Sequence, residues 1–238
     1  RNIQLVLYNP SARLAQQIQN RINSRFARIE DVKVANGLNR SRIQLIVPDE
    51  YSDHYAHFIS LVLALYLDDR PGFVDAKLAE LGELANQSDA DYEAIALVWE
   101  SIGRLTLKQL EMFYGQPSGC RAYYAARTAL NLGELNVIDV LAEMALDSEH
   151  PCQILAANDL VRFNSDPKAR QTLVRMLESD QADLRLAGYR GLRDIRDSHS
   201  RTAQFPGGFI VDQVQSSGQE ELVVWLDGTP RLVLFGRN

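Results

Sequence analysis

The chain has 238 residues, a hydrophobic fraction of 46% and a formal net charge of −6. This length allows more than one folding unit, and the composition is that of a globular protein. The negative charge disfavours nucleic acid as the main partner, because a domain that binds phosphates is usually basic. No apolar run approaches the roughly 18 residues of a membrane-spanning helix, so no membrane span is predicted.

The first region, residues 1–67, is predicted to be a βαβα module. The alternating run Ile3–Leu7 predicts a strand, and Ser11 is a candidate N-cap for the helix after it. That helix has one apolar face with spacings of four residues: Leu14, Ile18, Ile22 and Phe26. The other expected elements are a glycine-containing loop at Asn36–Asn39, a strand at Ser41–Pro48 and a helix over residues 49–67. We expect a right-handed βαβ unit, with a third strand that comes from elsewhere in the chain or is missing from a fragment.

A repeat with a period of 31 residues dominates the middle of the chain. One series has four members spaced by 31 residues: Ala94, Ala125, Ala156 and Ala187. A second series recurs at 31 or 32 residues: Leu78, Leu110, Leu141 and Leu173. A fixed period of this size is typical of stacked helical repeats, whose surfaces usually bind other proteins. We therefore predict an α-solenoid of about four helix pairs over residues 71–200, with the repeat at residues 71–196.

The third region, residues 205–238, is predicted to form a three-stranded β-meander. Its strands are the runs "FIVDQV", "EELVVWL" and "PRLVLFG", and Asp227–Gly228 is a strong hairpin signal between the last two. The meander either completes the sheet of the first region or begins a further domain. We expect it to pack on the rest of the chain, because exposed Trp225 and Leu232 would favour aggregation. The whole chain is thus predicted to be α+β and mostly α.

The two cysteines, Cys120 and Cys152, fall at equivalent places in neighbouring repeats. Neighbouring helices pack about 8–10 Å apart, whereas a disulfide needs Cα atoms within about 7 Å. We therefore expect two free, mostly buried thiols.

The sequence contains no group of residues that predicts catalysis or cofactor binding. His54 and His57 lie one helical turn apart, a spacing that suits two zinc ligands, but no further ligand cluster accompanies them. Neither a nucleophile elbow nor a phosphate-binding glycine motif is present. We predict no catalytic residue, no metal and no cofactor, and we expect that the protein is not an enzyme.

Six arginines are candidates for a protein interface. Four of them follow the first helix and its end, and two lie in the last repeat: Arg13, Arg21, Arg25 and Arg28, then Arg190 and Arg193. Helical spacing places the first group on one positively charged stripe, which predicts a contact with phosphate or an acidic partner. The alternative is a solvated face opposite the apolar face of the same helix.

Ten residues of the first region follow one pattern. A strand ends in Asn-Pro, a helix has the form A-x-x-I-x-x-x-I-N followed by Phe, and a second strand ends in Val-Pro: Asn9, Pro10, Ala15, Ile18, Ile22, Asn23, Phe26, Ile43, Val47 and Pro48. This pattern resembles a segment of the bacterial flagellar P-ring protein family, over residues 1–67. The resemblance implies a periplasmic protein with a ring- or assembly-forming role around the flagellar rod, whose signal peptide has been trimmed.

The repeats resemble short HEAT-type repeats, most closely in "AARTALNLGE" with its Ala-Ala pair and Leu-Gly. That resemblance implies protein-binding surfaces on an α-solenoid.

The leading hypothesis is a non-enzymatic structural protein that is a component of, or accessory to, a flagellar P-ring-like periplasmic assembly. Its partners would be further copies of itself or flagellar rod and ring proteins. The alternative is a HEAT-type adaptor unrelated to motility. Nucleic-acid binding through Arg21, Arg25 and Arg28 is a third class, which the acidic total disfavours.

Overall fold

The computed structural model describes residues 2–27, 32–116, 118–226 and 229–237. These residues contain ten α-helices, two short 3-10 helices and seven strands in two sheets. The prediction of an α+β fold with more helix than strand is confirmed. The chain divides into two compact units, the first ending at Met112 and the second beginning at Phe113.

The first unit begins with a small sheet and continues with helices. Its strands are β1 (Asn2–Val6), β2 (Ala35–Asn39) and β3 (Arg42–Ile46), and its helices are α1 (Ala12–Phe26), α2 (Tyr55–Leu63), α3 (Phe73–Ala85) and α4 (Tyr92–Ile102), with α5 (Leu107–Tyr114) at the division between the units. Short 3-10 helices occupy Asp49–Tyr51 and Arg104–Thr106. The predicted N-cap is confirmed, since the Ser11 hydroxyl accepts a hydrogen bond from the amide of Leu14 at 3.2 Å.

The predicted βαβ unit is wrong in its strand directions. The strand order is β1-β3-β2, and both neighbours of β3 run antiparallel to it. The missing third strand is β2, which occupies the segment Asn36–Asn39 that was predicted to be a loop. A tight turn joins β2 to β3, because the Asn39 side chain accepts hydrogen bonds from the amides of Ser41 and Arg42 at 2.9 and 3.0 Å.

Helix α1 holds β2 in place through two polar side chains. The Asn23 amide donates to the carbonyl of Ala35 at 2.9 Å, and its oxygen accepts from the amides of Val34 and Ala35 at 2.9 and 2.8 Å. Gln19 accepts from the amide of Gly37 at 2.6 Å, and a Cβ on Gly37 would lie 2.9 Å from that same oxygen. These contacts explain how a segment containing Asn and Gly becomes a strand, since its backbone groups gain partners outside the sheet.

Asn23→Leu is expected to lower the stability of the first unit by about 2–4 kcal/mol, because three hydrogen bonds of about 1 kcal/mol each are lost. Urea unfolding followed by tryptophan fluorescence, in a background where Trp225→Phe leaves Trp99 as the reporter of the first unit, should show an earlier transition. Asn20→Leu on the exposed side of α1 is the matched control, and it should leave the transition within about 0.5 kcal/mol of its original free energy. Equal transitions for both variants would contradict the assigned role of Asn23.

The second predicted helix of this unit is shorter than residues 49–67. The 3-10 turn Asp49–Tyr51 precedes α2, which begins only at Tyr55. This break lets the ring of Tyr51 lie 5.4 Å from that of Phe58, although seven residues of continuous helix would separate their Cα atoms by about 10 Å. Phe26 of α1 completes the aromatic cluster at 5.2 Å from Phe58.

The second unit packs five helices and a four-stranded sheet. The helices are α6 (Gly119–Asn131), α7 (Val137–Leu146), α8 (Gln153–Val161), α9 (Pro167–Met176) and α10 (Ala182–Asp194). Each of α8, α9 and α10 contacts the preceding helix and the helix before that one. The even-numbered helices α6, α8 and α10 therefore follow one another in one layer, and the odd-numbered α7 and α9 in another.

The recurring positions of the sequence form the core of this unit. Ala125, Ala156 and Ala187 are fully buried on the three even-numbered helices. A Cβ on Gly188 would lie 2.6 Å from the carbonyl oxygen of Leu173, so glycine permits the close approach of α9 and α10. Ala94, the first member of the series, is exposed in the first unit, so the burial pattern is regular only from α6 onward.

The predicted three-stranded meander is wrong. The strands are β4 (Ser200–Gln204), β5 (Ile210–Gln215), β6 (Glu221–Trp225) and β7 (Arg231–Gly236), and their order in the sheet is β4-β5-β7-β6. Strand β7 lies between β5 and β6, and it is parallel to β5. This sheet is separate from the sheet of the first unit, so the alternative in which the third region completes that sheet is also wrong. The predicted hairpin residues Asp227–Gly228 lie outside the described residues.

The connection between β5 and β6 explains the strand order. The Ser216 hydroxyl donates to the carbonyl of Leu177 at 2.5 Å, and Ser217 donates its amide to the Glu178 carboxylate at 2.6 Å. A Cβ on Gly218 would lie 2.8 Å from the carbonyl oxygen of Ser179. Because this connection is bound to the loop between α9 and α10, β6 does not turn back directly onto β5. The expectation that the last strands pack on the preceding chain is confirmed by these contacts.

The two cysteines are not free thiols: Cys120 and Cys152 form a disulfide with Cα atoms 5.5 Å apart. The prediction was wrong because it compared an interaxial distance with a Cα distance. Cα atoms lie about 2.3 Å from each helix axis, so two that face each other across axes about 8–10 Å apart come within about 3.4–5.4 Å, which is short enough for a disulfide. The bond joins the first turn of α6 to the N-cap of α8.

None of the helices in the described ranges is both long and apolar enough to cross a membrane.

Candidate functional site

A row of polar residues follows the even-numbered helices of the second unit. We call it the arginine face, and it consists of Arg127 and Asn131 on α6, Asn158 and Asp159 on α8 with Arg162 at its C-cap, and Arg190 and Arg193 on α10. Asn131, Arg162 and Arg193 are each 31 residues apart, so they occupy equivalent positions in successive repeats. The layer of even-numbered helices thus presents a periodic set of amide and guanidinium groups.

The buried carboxylate of Asp159 on α8 links this helix to α6. The Tyr123 hydroxyl donates to this carboxylate at 2.8 Å, and both side chains are buried. Arg127 and Arg162 lie 3.8 and 3.7 Å from the two oxygens of the same carboxylate. Burial, with the adjacent charge of Asp159, raises the pKa of Tyr123 far above its ordinary value. Tyr123 therefore stays a neutral hydrogen-bond donor throughout the physiological range.

The predicted interface residues Arg190 and Arg193 both lie on this face. Arg190 donates to the Asn158 side chain on α8, and its buried Nε has no partner among the described residues. Arg193 bonds Asp194 at 2.8 Å and lies over the ring of Tyr189, 5.7 Å from its centroid. Arg162 also belongs here, since its guanidinium donates to Asn131 at 3.4 Å. Sequence reasoning missed Arg162, although its 31-residue distance from Arg193 was available.

The predicted arginines of the first unit have different surroundings. Arg25 donates to the carbonyls of Glu100 and Ser101 at 2.7 and 3.0 Å, in the last turn of α4, where basic side chains often cap helix carbonyls. Arg21 pairs with Asp69 and lies over the ring of Tyr66. Their donors serve contacts inside this unit.

Arg13 is exposed on α1, and Arg28 lies outside the described residues. Among the described members of the predicted stripe, Arg21 and Arg25 are thus engaged in contacts within this unit.

A second polar cluster joins α10 to the C-terminal sheet. The buried carboxylate of Asp212 on β5 accepts hydrogen bonds from Tyr189, Thr202 and Arg231. Burial disfavours its charged form, but these three hydrogen bonds outweigh that effect and hold the pKa of the Asp212 carboxyl below its ordinary value. Burial, with the hydrogen bond to Asp212, raises the pKa of Tyr189 to about 12. Beside this cluster, the buried Arg185 pairs with Glu221 of β6.

A groove of about 430 Å³ lies where the loop between α7 and α8 meets the loop between α9 and α10. Leu146, Met176 and Leu184 supply its apolar lining, and Arg175 and Glu178 also line it. The groove joins apolar and charged groups, which suits a side chain of another protein better than a charged small molecule.

The histidines show no arrangement for metal binding. His57 contacts the buried Glu100 carboxylate at 2.8 Å, and His54 is exposed at the start of α2. Across residues 2–27, 32–116, 118–226 and 229–237, no group of three or more His, Cys, Asp or Glu side chains is placed to hold a metal ion.

No family model matches the chain, and neither a curated protein nor a solved structure shows detectable similarity to it.

Proposed function

We propose that this chain is a non-enzymatic structural protein whose helical repeats bind other proteins. The observation that carries the proposal is the layered packing of α6 to α10, in which equivalent positions are buried at the 31-residue period. Such packing creates an extended outer surface that exceeds what the core needs, and repeat proteins use surfaces of this kind to bind partners. The arginine face, with its partly exposed guanidinium groups, is one part of that surface.

The finer architecture belongs to the same proposal. We infer an α-solenoid of about four HEAT-like helix pairs within residues 71–200, preceded by a ring-building-like module at residues 1–67 and followed by the four-stranded sheet that begins with β4. The 31-residue period supports this division, because it spans residues 71–196 and ends before the last strands.

A second candidate is a component of, or accessory to, a flagellar P-ring-like periplasmic assembly. The disulfide between Cys120 and Cys152 favours it, because disulfides persist in oxidising compartments such as the bacterial periplasm. The resemblance of residues 1–67 to the flagellar P-ring family, carried by the Asn-Pro and Ile-Asn pairs, is the sequence argument for it. We therefore propose a periplasmic location for either candidate.

Photocrosslinking in the cell of origin tests both candidates. A photoreactive phenylalanine derivative replaces Leu155 on α8 or, as the control, Leu38 on β2; both side chains are exposed. Position 155 is expected to give one adduct of discrete mass, and position 38 a much weaker one. An adduct with a second copy of the chain supports the ring assembly, and one with a different protein supports the adaptor. If position 155 gives no adduct above that of position 38, the scaffold proposal fails.

A further inference from the structure

We propose that the arginine face binds an extended acidic segment of a partner protein, with acidic residues at every third position. This inference rests on the proposed scaffold function and specifies the chemistry of the partner. It follows from the charge, exposure and spacing of the guanidinium groups on α6, α8 and α10.

The face has an excess of positive charge. It carries four arginines against the one carboxylate of Asp159, and Asp194 beside Arg193 adds a second. Asp159 is buried, accepts from Tyr123, and lies 3.8 and 3.7 Å from Arg127 and Arg162, so it offsets one of the four positive charges. The outward-facing charge is therefore positive, although the whole chain has a net charge of −6. Complementary charge of this kind selects an acidic partner.

The arginines are held in position but still reach solvent. The side chains of Arg127, Arg162 and Arg193 are 33%, 44% and 31% exposed. Arg162 and Arg193 lie over the rings of Phe163 and Tyr189, each 5.7 Å from the centroid. A guanidinium has five N–H donors, and Arg162 donates to Asn131 through one nitrogen at 3.4 Å. Side chains that are already ordered lose less entropy when they bind a carboxylate.

The spacing of the face selects an extended ligand. Arg162 and Arg193 occupy equivalent positions on neighbouring helices, which pack about 8–10 Å apart. A polyproline II segment has three residues per turn and rises about 9 Å in that turn. Acidic residues at every third position of such a segment therefore lie on one side and match the helix spacing. An α-helix with acidic residues three or four positions apart would present its carboxylates about 5–6 Å apart and would fit less well.

Two labelled peptides of equal composition test the match. The first is fluorescein-(Glu-Pro-Pro)4, and the second has the four glutamates in one block followed by the eight prolines. Fluorescence anisotropy at low salt should show that the periodic peptide binds the intact chain at least five times more tightly. Equal affinity of the two peptides, or no binding of either, would overturn the proposal.

Matched variants locate the binding site. Arg162→Gln with Arg193→Gln is expected to weaken binding of the periodic peptide about ten-fold, since each partly exposed charge contributes about a three-fold effect. Lys168→Gln with Arg175→Gln removes two positive charges from α9 and should change affinity less than two-fold. Asp159→Asn keeps an acceptor for Tyr123 but removes the negative charge, and it should tighten binding about three-fold. Equal losses in the two double variants would refute the assignment to this face.

A nucleic-acid competitor and the photocrosslinked adduct complete the test. If an oligothymidine of 12 nucleotides binds more tightly than the periodic peptide and displaces it, the face is a nucleic-acid site and the proposal is wrong. Suppose that neither peptide binds the intact chain, and that the adduct at position 155 still forms in the double variant Arg162→Gln with Arg193→Gln. The acidic-segment inference then fails and the scaffold function stands. If the double variant loses both the adduct and the binding of the periodic peptide, the result supports the acidic-segment inference and the scaffold function.

Discussion

Replacing Cys120 and Cys152 together by alanine is expected to lower the free energy of unfolding of the second unit by about 3–4 kcal/mol. The cysteines are separated by 32 residues, and closing a loop of that length restricts the unfolded chain by about this amount. Urea denaturation without reductant, followed by circular dichroism, measures the difference. Alanine suits the sites, because it is small and apolar and Cys152 is buried.

Reductant supplies the internal control for this prediction. Dithiothreitol should move the unfolding transition of the wild-type chain to that of the double variant, and it should leave the double variant unchanged. Mass spectrometry with a thiol-alkylating reagent confirms that the bond is open. A wild-type transition that stays in place after complete reduction would show that the disulfide contributes nothing to stability. It would also weaken the case for an oxidising compartment.

The parts of the fold that depend on local periodicity were predictable. The 31-residue series placed Ala125, Ala156 and Ala187 at equivalent buried sites, because a helix that packs on its neighbours repeats its apolar positions. Ser11 was recognisable as an N-cap from its place before an apolar helix. The N-cap is determined by residues that are adjacent in sequence, and the buried alanines are recognisable because the same helix contacts recur at a fixed period.

Features that depend on distant contacts were not predictable. Strand β2 forms because Gln19 and Asn23 of α1 satisfy its backbone, a relation that the Asn-Gly composition conceals. Strand β7 lies beside β5 because Ser216 and Ser217 bind the loop between α9 and α10. Propensity describes a segment alone, and these segments take their structure from partners elsewhere in the chain.

The arginines of the candidate site were predictable from charge and repeat period, whereas their contacts with distant residues were not. Arg190 and Arg193 were found from charge, and Arg162 was available from the repeat period. No sequence pattern indicates that Asp159 is buried under the arginines, because a carboxylate on a helix is usually solvated. The basic stripe on α1 was predicted as a contact with phosphate or an acidic partner, or as a solvated face; the role of Arg25 was not predictable, since the carbonyls that it caps belong to α4.

Asp212→Ala is expected to destabilise the second unit by about 3–5 kcal/mol, which is the usual cost of removing one partner from a buried ion pair. The substitution leaves the hydroxyl of Tyr189 and the guanidinium of Arg231 without their shared acceptor. Because these groups join α10 to β5 and β7, the C-terminal sheet should loosen first. Hydrogen exchange should therefore show faster exchange in β4 to β7 than in α6 to α8. Asp194→Ala, an exposed carboxylate on α10, is the matched control and should cost less than about 0.5 kcal/mol.

The pH dependence of stability gives this prediction a second readout that survives if Asp212→Ala fails to fold. The folded-state pKa of Asp212 lies below its ordinary value of about 3.9, so its ionisation stabilises the fold above about pH 4. That contribution is lost as the pH falls through the folded-state pKa. The milder variant Asp212→Asn should therefore be less stable than wild type at pH 7 and approach it toward pH 2. Asp197, whose pKa is also lowered, keeps part of the acid dependence in the variant. A difference in stability between wild type and Asp212→Asn that stays constant from pH 7 to pH 2 would show that Asp212 acts through packing and not through its charge. The carboxyl that accepts hydrogen bonds from Tyr189 and Arg231 would then have to be neutral.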